Sequence, residues 1–347
     1  MNTGHMSTHR HITRALLPLL VVALVTVGAL AKLAFARDTA SIGTGVVVVN
    51  TRLAYAQASA AGTGMVIGSS GEVLTNNHVI SGASLITVTV PGTGRTYTAR
   101  VVGYDVSDDV ALLQLANASN LKTVSIRTAA TSVGMTVTAV GNAGGTGSLA
   151  RATGTVTATG QTITASDEQG SSETLTGLIQ TDANVQAGDS GGPLLDSSGK
   201  VVAMTTAASA NGGFRFADAS STGYAIPIAK ALRIADAIDA GRSSARVHVG
   251  ATAFLGISIS TAGDSSFGFS YTQGAVVAGV VSGGPAAKAG LQGGDVILEI
   301  AGRTVTSPTS VRSIVLTKKP GQKVTVRYAD ENGTYTTTIT LASGPPQ

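Results

Sequence analysis

At 347 residues the chain exceeds the roughly 100 to 200 residues of a single core, so two domains and a targeting segment fit within it. Cysteine is absent, which excludes a disulfide framework, a thiolate zinc site and a cysteine nucleophile. The net charge is +4 with histidine neutral; Arg10 and Arg14, with His5, His9 and His11 beside them, make a basic start, and no Lys/Arg block with interleaved aromatics follows, which argues against a nucleic-acid partner.

The first element in chain order is a leader. Ala15 to Ala31 is an apolar run broken only by Pro18, Thr26 and Gly28, and Ala34-Phe35-Ala36 offers a small-x-small cleavage site before Arg37. Residues 1–36 read as a secretory signal peptide. The competing reading is an uncleaved signal anchor, with residues 15–31 in the membrane. Either places the remainder outside the cytoplasmic membrane, secreted or in the cell envelope.

Beyond the leader the chain carries most of its 44 glycines, which separate short runs rich in Val, Ile and Thr. That pattern is mostly β. Val46 to Arg52, Gly64 to Ile67, Leu85 to Val90, Thr98 to Val102 and Val110 to Leu115 are expected strands, with turns at Ser69-Ser70-Gly71 and Pro91-Gly92, a spacing that suits barrels or a sandwich. A helix is expected late: Pro227 opens it, Ile228, Ala231, Leu232, Ala235 and Ile238 recur at helical spacing, and Gly241 ends it. Residues 37–242 thus form a first domain, 243–250 a linker mixing Gly, Ser and Arg, and 251–344 a second strand-rich domain.

After the leader only His78 and His248 remain, so an imidazole base must be one of them. His248 falls in the linker, where a solvated or packing role is expected. His78 follows an apolar strand and a turn. The string Gly188-Asp189-Ser190-Gly191-Gly192-Pro193-Leu194 resembles the nucleophile loop of trypsin-like serine proteases. Its glycines let the backbone turn tightly, so that the N–H groups of Gly188 and Ser190 can converge on a developing oxyanion while Ser190 offers its hydroxyl. The third member should be a buried carboxylate that fixes the imidazole tautomer. Asp109, opening the apolar run Val110 to Leu115, resembles the catalytic aspartate segment of these proteases. Neighbouring Asp108 leaves an alternative, and Asp105 and Asp108 are expected as exposed turn residues. The order His78, Asp109, Ser190 is that of the chymotrypsin fold and not of subtilisin or the α/β-hydrolases.

Ala61 to Ile67, Leu74 to Ile80, Ile179 to Ala183 and Tyr224 to Pro227 narrow the resemblance to the HtrA/DegP family, with short strings such as Ala253-Phe254-Leu255-Gly256 most similar to its mycobacterial secreted members. Phe254-Leu255-Gly256-Ile257, Gly274 to Val281, Gly284 to Leu291, Gly293 to Ile297 and Ile300 to Arg303 together resemble a PDZ domain. The resemblance implies a mostly β chain, with a chymotrypsin-like double β-barrel protease domain followed by a PDZ domain built as a small β-barrel with helices. It implies a serine endopeptidase acting on unfolded or misfolded polypeptides, without cofactor or metal. Peptide C-termini would be received by Leu255, Gly256 and Ile257, with the strand running on through Ile259, and Ser310 to Leu316 as a helical wall. Asn184, six residues before the nucleophile, with Thr205 and Thr206, is expected in the specificity pocket. An Asn there in place of Asp implies small or medium apolar side chains before the scissile bond. Family members often form homotrimers through N-terminal segments, for which residues 37–45 are short here. One departure stands out: family loops usually carry Asn before the nucleophile, whereas this chain has Asp189. A peptide-binding or chaperone-like scaffold with latent proteolysis is the alternative from another class. An esterase elbow of the Gly-x-Ser-x-Gly type does not match the loop.

Overall fold

The computed structural model describes residues 43–53, 58–127, 129–166, 172–208, 222–260 and 274–347. The leader over 1–36, its 15–31 span and residues 37–42 of the 37–45 segment fall outside the described residues, as do 209–221 and 261–273. Among the described residues no helix is long and apolar enough to cross a membrane.

Six strands build the first barrel: β1 (Val46–Leu53), β2 (Ala58–Gly68), β3 (Glu72–Thr75), β4 (Leu85–Val90), β5 (Arg95–Asp105) and β6 (Val110–Leu115). They run in the order β5-β4-β1-β2-β3-β6, and the pairing of β5 with β6 closes the ring. The expected strands form, and Val47, Val49, Val66, Val73, Val88 and Leu113 lie in the barrel's core. Between β3 and β4 a single helical turn, α1 (Asn77–Ile80), carries His78.

The second barrel is closed by β7 (Thr136–Gly141), β8 (Ala150–Ser166), β9 (Ser172–Thr181), β10 (Pro193–Asp196), β11 (Val201–Ala208) and β12 (Gly223–Pro227), in the order β10-β11-β12-β9-β8-β7. Val137, Ile179, Leu194 and Val202 lie in its core. The expected helix is α2 (Ile228–Asp239), buried through Ile228, Ala231, Ala235 and Ile238. It follows β12 but packs back on β5 and β6 as well as on β11, and so bridges both barrels.

Within residues 243–250 the chain is not irregular throughout. Val247–Val249 form β13, which pairs antiparallel with Gly103–Asp105 of β5 and becomes a seventh strand of the first sheet. His248 accordingly packs, its ring 4.9 Å from that of Tyr104, and burial lowers its pKa.

The C-terminal domain consists of β14 (Thr252–Phe254), β15 (Ile257–Ser260), β16 (Ala275–Val280), α3 (Pro285–Lys288), β17 (Val296–Ile300), β18 (Arg303–Thr304), α4 (Pro308–Leu316), β19 (Lys323–Asp330), β20 (Gly333–Thr340) and β21 (Ala342–Gly344). Ser307 caps α4 through a reciprocal capping box with Ser310, and Pro308 opens the helix. Leu255, Val277, Leu291, Ile297, Val311, Ile314 and Val326 form this domain's own core. Gly45–Gln347 cluster as one compact unit; the Tyr104 hydroxyl lies 3.0 Å from Thr252 Oγ1, and Leu316 packs on the first barrel's core.

Candidate active site

Strand register brings the first two expected residues together. Thr75 of β3 pairs with Ala111 of β6, so the chain leaving β3 meets the chain entering β6. Asn76 fixes the crossing, its Nδ2 donating to the Asp109 carbonyl at 2.8 Å. Asp109 takes φ 52°, a left-handed conformation that aspartate tolerates better than most residues. Its carboxylate accepts the His78 backbone N–H on Oδ1 at 2.9 Å and lies 2.8 Å from His78 Nδ1 through Oδ2. Because a carboxylate oxygen accepts here, the proton sits on Nδ1, and Nε2 of the neutral ring is left as an acceptor.

Asp108 takes a different path. It pairs with Lys230 at 2.6 Å and Arg246 at 2.8 Å, so Asp109 is the carboxylate that faces the imidazole. Both Asp105 and Asp108 are buried, not exposed as expected: Asp105 Oδ1 accepts the Asp108 N–H at 3.0 Å and closes the turn. Burial, ahead of its hydrogen bonds, raises the Asp105 pKa.

Ser190 lies in the same cleft as His78, in a turn whose flanking glycines have φ values of 96° (Gly188) and 85° (Gly191). A Cβ on Gly188 would stand 2.1 Å from the Asn142 carbonyl, and one on Gly191 2.1 Å from the Thr63 carbonyl, so both positions require glycine. The Ala187 carbonyl accepts the Gly144 N–H at 2.8 Å. The planar trans peptide then turns the Gly188 N–H the opposite way. Neither that N–H nor the Ser190 N–H has a partner among the described residues.

Thr63 of β2 joins this loop to the first barrel. Its N–H donates to the Ser190 carbonyl at 2.9 Å, and its hydroxyl donates to the Gly188 carbonyl at 2.7 Å while accepting the Asn142 N–H at 2.8 Å. Its own carbonyl accepts the Thr75 hydroxyl at 2.7 Å. Sequence reading passed over Thr63, since a threonine between two glycines in a Gly/Thr-rich chain carries no local signal.

Asp189 is 4% exposed. One carboxyl oxygen accepts the Gln186 N–H at 2.9 Å, and the other is buried without a partner among the described residues. Burial raises its pKa, opposed by the Gln186 N–H, and no cationic side chain among the described residues acts on it.

Of the three residues expected in the specificity pocket, Asn184 is exposed, and Thr205 is buried with its hydroxyl unpartnered among the described residues. Thr206 differs most from expectation: a bulge between Thr205 and Ala207 re-aims its side chain, and its hydroxyl donates to Asp109 Oδ2. A hydroxyl engaged by the Asp109 carboxylate is not presented to a substrate side chain. In the C-terminal domain β15 is an edge strand, and Ile257 and Ile259 line a groove with Pro308, Arg312 and Leu316. Leu255 is instead buried in the core, and the N–H groups of Leu255 and Gly256 have no partner among the described residues.

Fold and site define a trypsin-like peptidase domain joined to a PDZ domain. Residues 62–204 match the trypsin-like peptidase domain family, and residues 253–341 the PDZ domain family. The chain is 36% identical over 266 residues to the periplasmic pH-dependent serine endoprotease DegQ of Escherichia coli, covering 76% of this chain and 55% of that protein. It is 32% identical over 271 residues to the putative serine protease HhoB of Synechocystis, covering 76% and 62%. Among solved structures it is similar to the HtrA-type protease AlgW with decapeptide (27% identity, TM-score 0.50, 90% of this chain and 99% of that one) and with tripeptide (29%, 0.50, 89% and 98%). The chain thus combines a trypsin-like peptidase domain with a PDZ domain and is similar in sequence to serine endoproteases of the DegP/DegQ type. It spans little more than half the length of DegQ.

Proposed function

We propose that this protein is a serine endopeptidase of the cell envelope or exterior, which hydrolyses peptide bonds of unfolded or misfolded polypeptides. The observation that carries the reading is the Asp109–His78 pair, 2.8 Å apart, in one cleft with a serine set between two obligatory glycines. His78 Nε2 takes the Ser190 proton as the hydroxyl oxygen attacks the scissile carbonyl, and Asp109 holds the ring and stabilises the imidazolium. The N–H groups of Gly188 and Ser190 receive the oxyanion. The imidazolium returns the proton to the leaving amine, and the acyl-enzyme is hydrolysed by a water that the same imidazole deprotonates.

The PDZ groove supports recognition of peptide C-termini by strand addition: among the described residues one edge of β15 is unpaired and the Leu255 and Gly256 N–H groups have no partner, and Ile257 and Ile259 supply apolar contact. Leu255 contributes through its backbone. The leader in the sequence and the periplasmic relatives support action outside the cytoplasm.

Ser190→Ala should lower casein cleavage by on the order of 10⁶-fold without loss of fold. A fluorophosphonate should label Ser190 in the unaltered protein. A folded sample that neither labels nor cleaves would favour the peptide-binding scaffold instead.

A further inference from the structure

The turn Asn77–Ile80 that carries His78 is four residues long, too short to hold its own geometry by internal hydrogen bonds. Both of its ends are tied to one distant segment, residues 345–347, which leaves the PDZ domain after β21. At the start, Asn77 Nδ2 donates to the Gln347 main-chain oxygen at 3.0 Å. Just past the end, the Gly82 N–H donates to the Pro346 carbonyl at 2.8 Å. The Gln347 main chain also bonds the Tyr104 hydroxyl, which stands on β5 and meets Thr252 of the PDZ domain. Asn77 is 2% exposed and Pro346 is buried, so one partner of each bond is shielded from water, and leaving it unpaired is costly.

We propose that residues 345–347 are a positioning strap for His78, with Asn77 as its anchor on the protease domain. By clamping residue 77 and residue 82 the strap fixes the turn between them, and with it the His78 backbone N–H and ring that both address Asp109. The PDZ domain is thereby coupled to the base through its own C-terminal segment. A plain sealing role, in which the strap only fastens one domain to the other, predicts lost stability without altered turnover of intact enzyme.

The inference rests on the proteolytic reading, and the experiment separates the two. Three variants are compared with the unaltered protein: Asn77→Leu, which keeps volume and deletes the donor; a chain ending at Gly344; and the double variant. Active-site titration with a fluorophosphonate reports turnover per competent site. The strap requires kcat to fall roughly 10- to 100-fold, the scale of a displaced catalytic group, with KM within about twofold. It also requires the double variant to lose no more than the more impaired single variant, since both cut one connection. Unchanged or raised kcat in the truncated chain, or losses that multiply, would overturn it. Amide exchange across residues 76–83 gives an activity-independent arm: truncation should accelerate it, and unchanged exchange overturns the strap even if the unaltered protein proves inactive, a result that would separately reject the proteolytic reading.

Discussion

Thr63→Val tests how the nucleophile loop is held. The threonine is fully buried in β2, where valine fits the same volume and suits a strand, so the exchange deletes a hydroxyl and little else. Two main-chain groups lose their partner, the Gly188 carbonyl (2.7 Å) and the Asn142 N–H (2.8 Å). At about 1–3 kcal/mol for each buried group left unsatisfied, the loss is about 2–6 kcal/mol, and partial relaxation of the loop should bring it toward the low end. The same change frees the Gly188–Asp189 peptide, the direct neighbour of the Ala187–Gly188 peptide that carries the oxyanion donor. Turnover should therefore fall by roughly 10²- to 10³-fold, as when one oxyanion-hole donor is removed, with KM nearly unchanged. Thr63→Ser keeps both hydrogen bonds and gives up one methyl group, at about 1 kcal/mol. Urea unfolding and steady-state kinetics normalised by active-site titration measure both quantities. If Thr63→Val cleaves within threefold of the unaltered protein, the hydroxyl does not hold the loop and the reasoning fails.

Asp189→Asn should stabilise the protein near neutral pH. Its carboxyl pKa is raised in the folded state above 3.8, so the fold favours the neutral acid: the contribution is complete below the unfolded pKa and is lost as pH climbs through the raised folded value. The gap in Tm between Asp189→Asn and the unaltered protein should widen from pH 4 to pH 8, and a flat gap would contradict the assignment. Gly188→Ala forces a side chain into φ 96° and against the Asn142 carbonyl; fluorophosphonate labelling should fall below detection, and normal labelling would mean the turn is not constrained as described. Thr206→Val removes a hydroxyl from Asp109 and should lower kcat about tenfold, on the scale of a hydrogen bond of about 1–1.5 kcal/mol. A changed preference before the scissile bond, with kcat intact, would return Thr206 to the specificity pocket. Ile257→Asp should abolish binding of C-terminal peptides, read by fluorescence anisotropy, while short internal peptides are still cleaved.

Much of the architecture was legible because it is written in local pattern. Val46 to Arg52 and Leu85 to Val90 are short runs rich in Val, Ile and Thr, as strands are, Pro227 and Gly241 bracket a helix, and the glycines around Ser190 announce a backbone that only glycine can take. What stayed hidden depends on partners far away in sequence. The strand Val247–Val249 looks like linker because three residues carry too little periodicity; it becomes a strand only because β5 offers an edge at Gly103–Asp105. Asp105 and Asp108 read as solvated turn residues, yet Lys230 and Arg246, more than a hundred residues on, draw Asp108 into a buried cluster. Thr206 looked like a pocket residue because its strand passes the expected pocket; one extra residue in the β11–β12 register sends its side chain the other way.

The hidden contacts share a logic that bears on the proposed catalysis. The first barrel supplies His78 and Asp109 and the second supplies Ser190, so the constellation is only as fixed as the joint between them. Each barrel lends one threonine hydroxyl to the catalytic element of the other: Thr63 of β2 holds the loop around Ser190, and Thr206 of β11 holds Asp109. A shear between the barrels would break both bonds at once and strand buried carbonyl and carboxylate oxygens, a penalty well above that of sliding two apolar surfaces. Hydrogen bonds of this kind add little net stability, but they penalise misalignment steeply, and alignment is what proton transfer from Ser190 to His78 requires. On this argument Thr63→Val and Thr206→Val should each cost far more in kcat than in KM, and combining them should cost less than the product of the two, because both report on one joint.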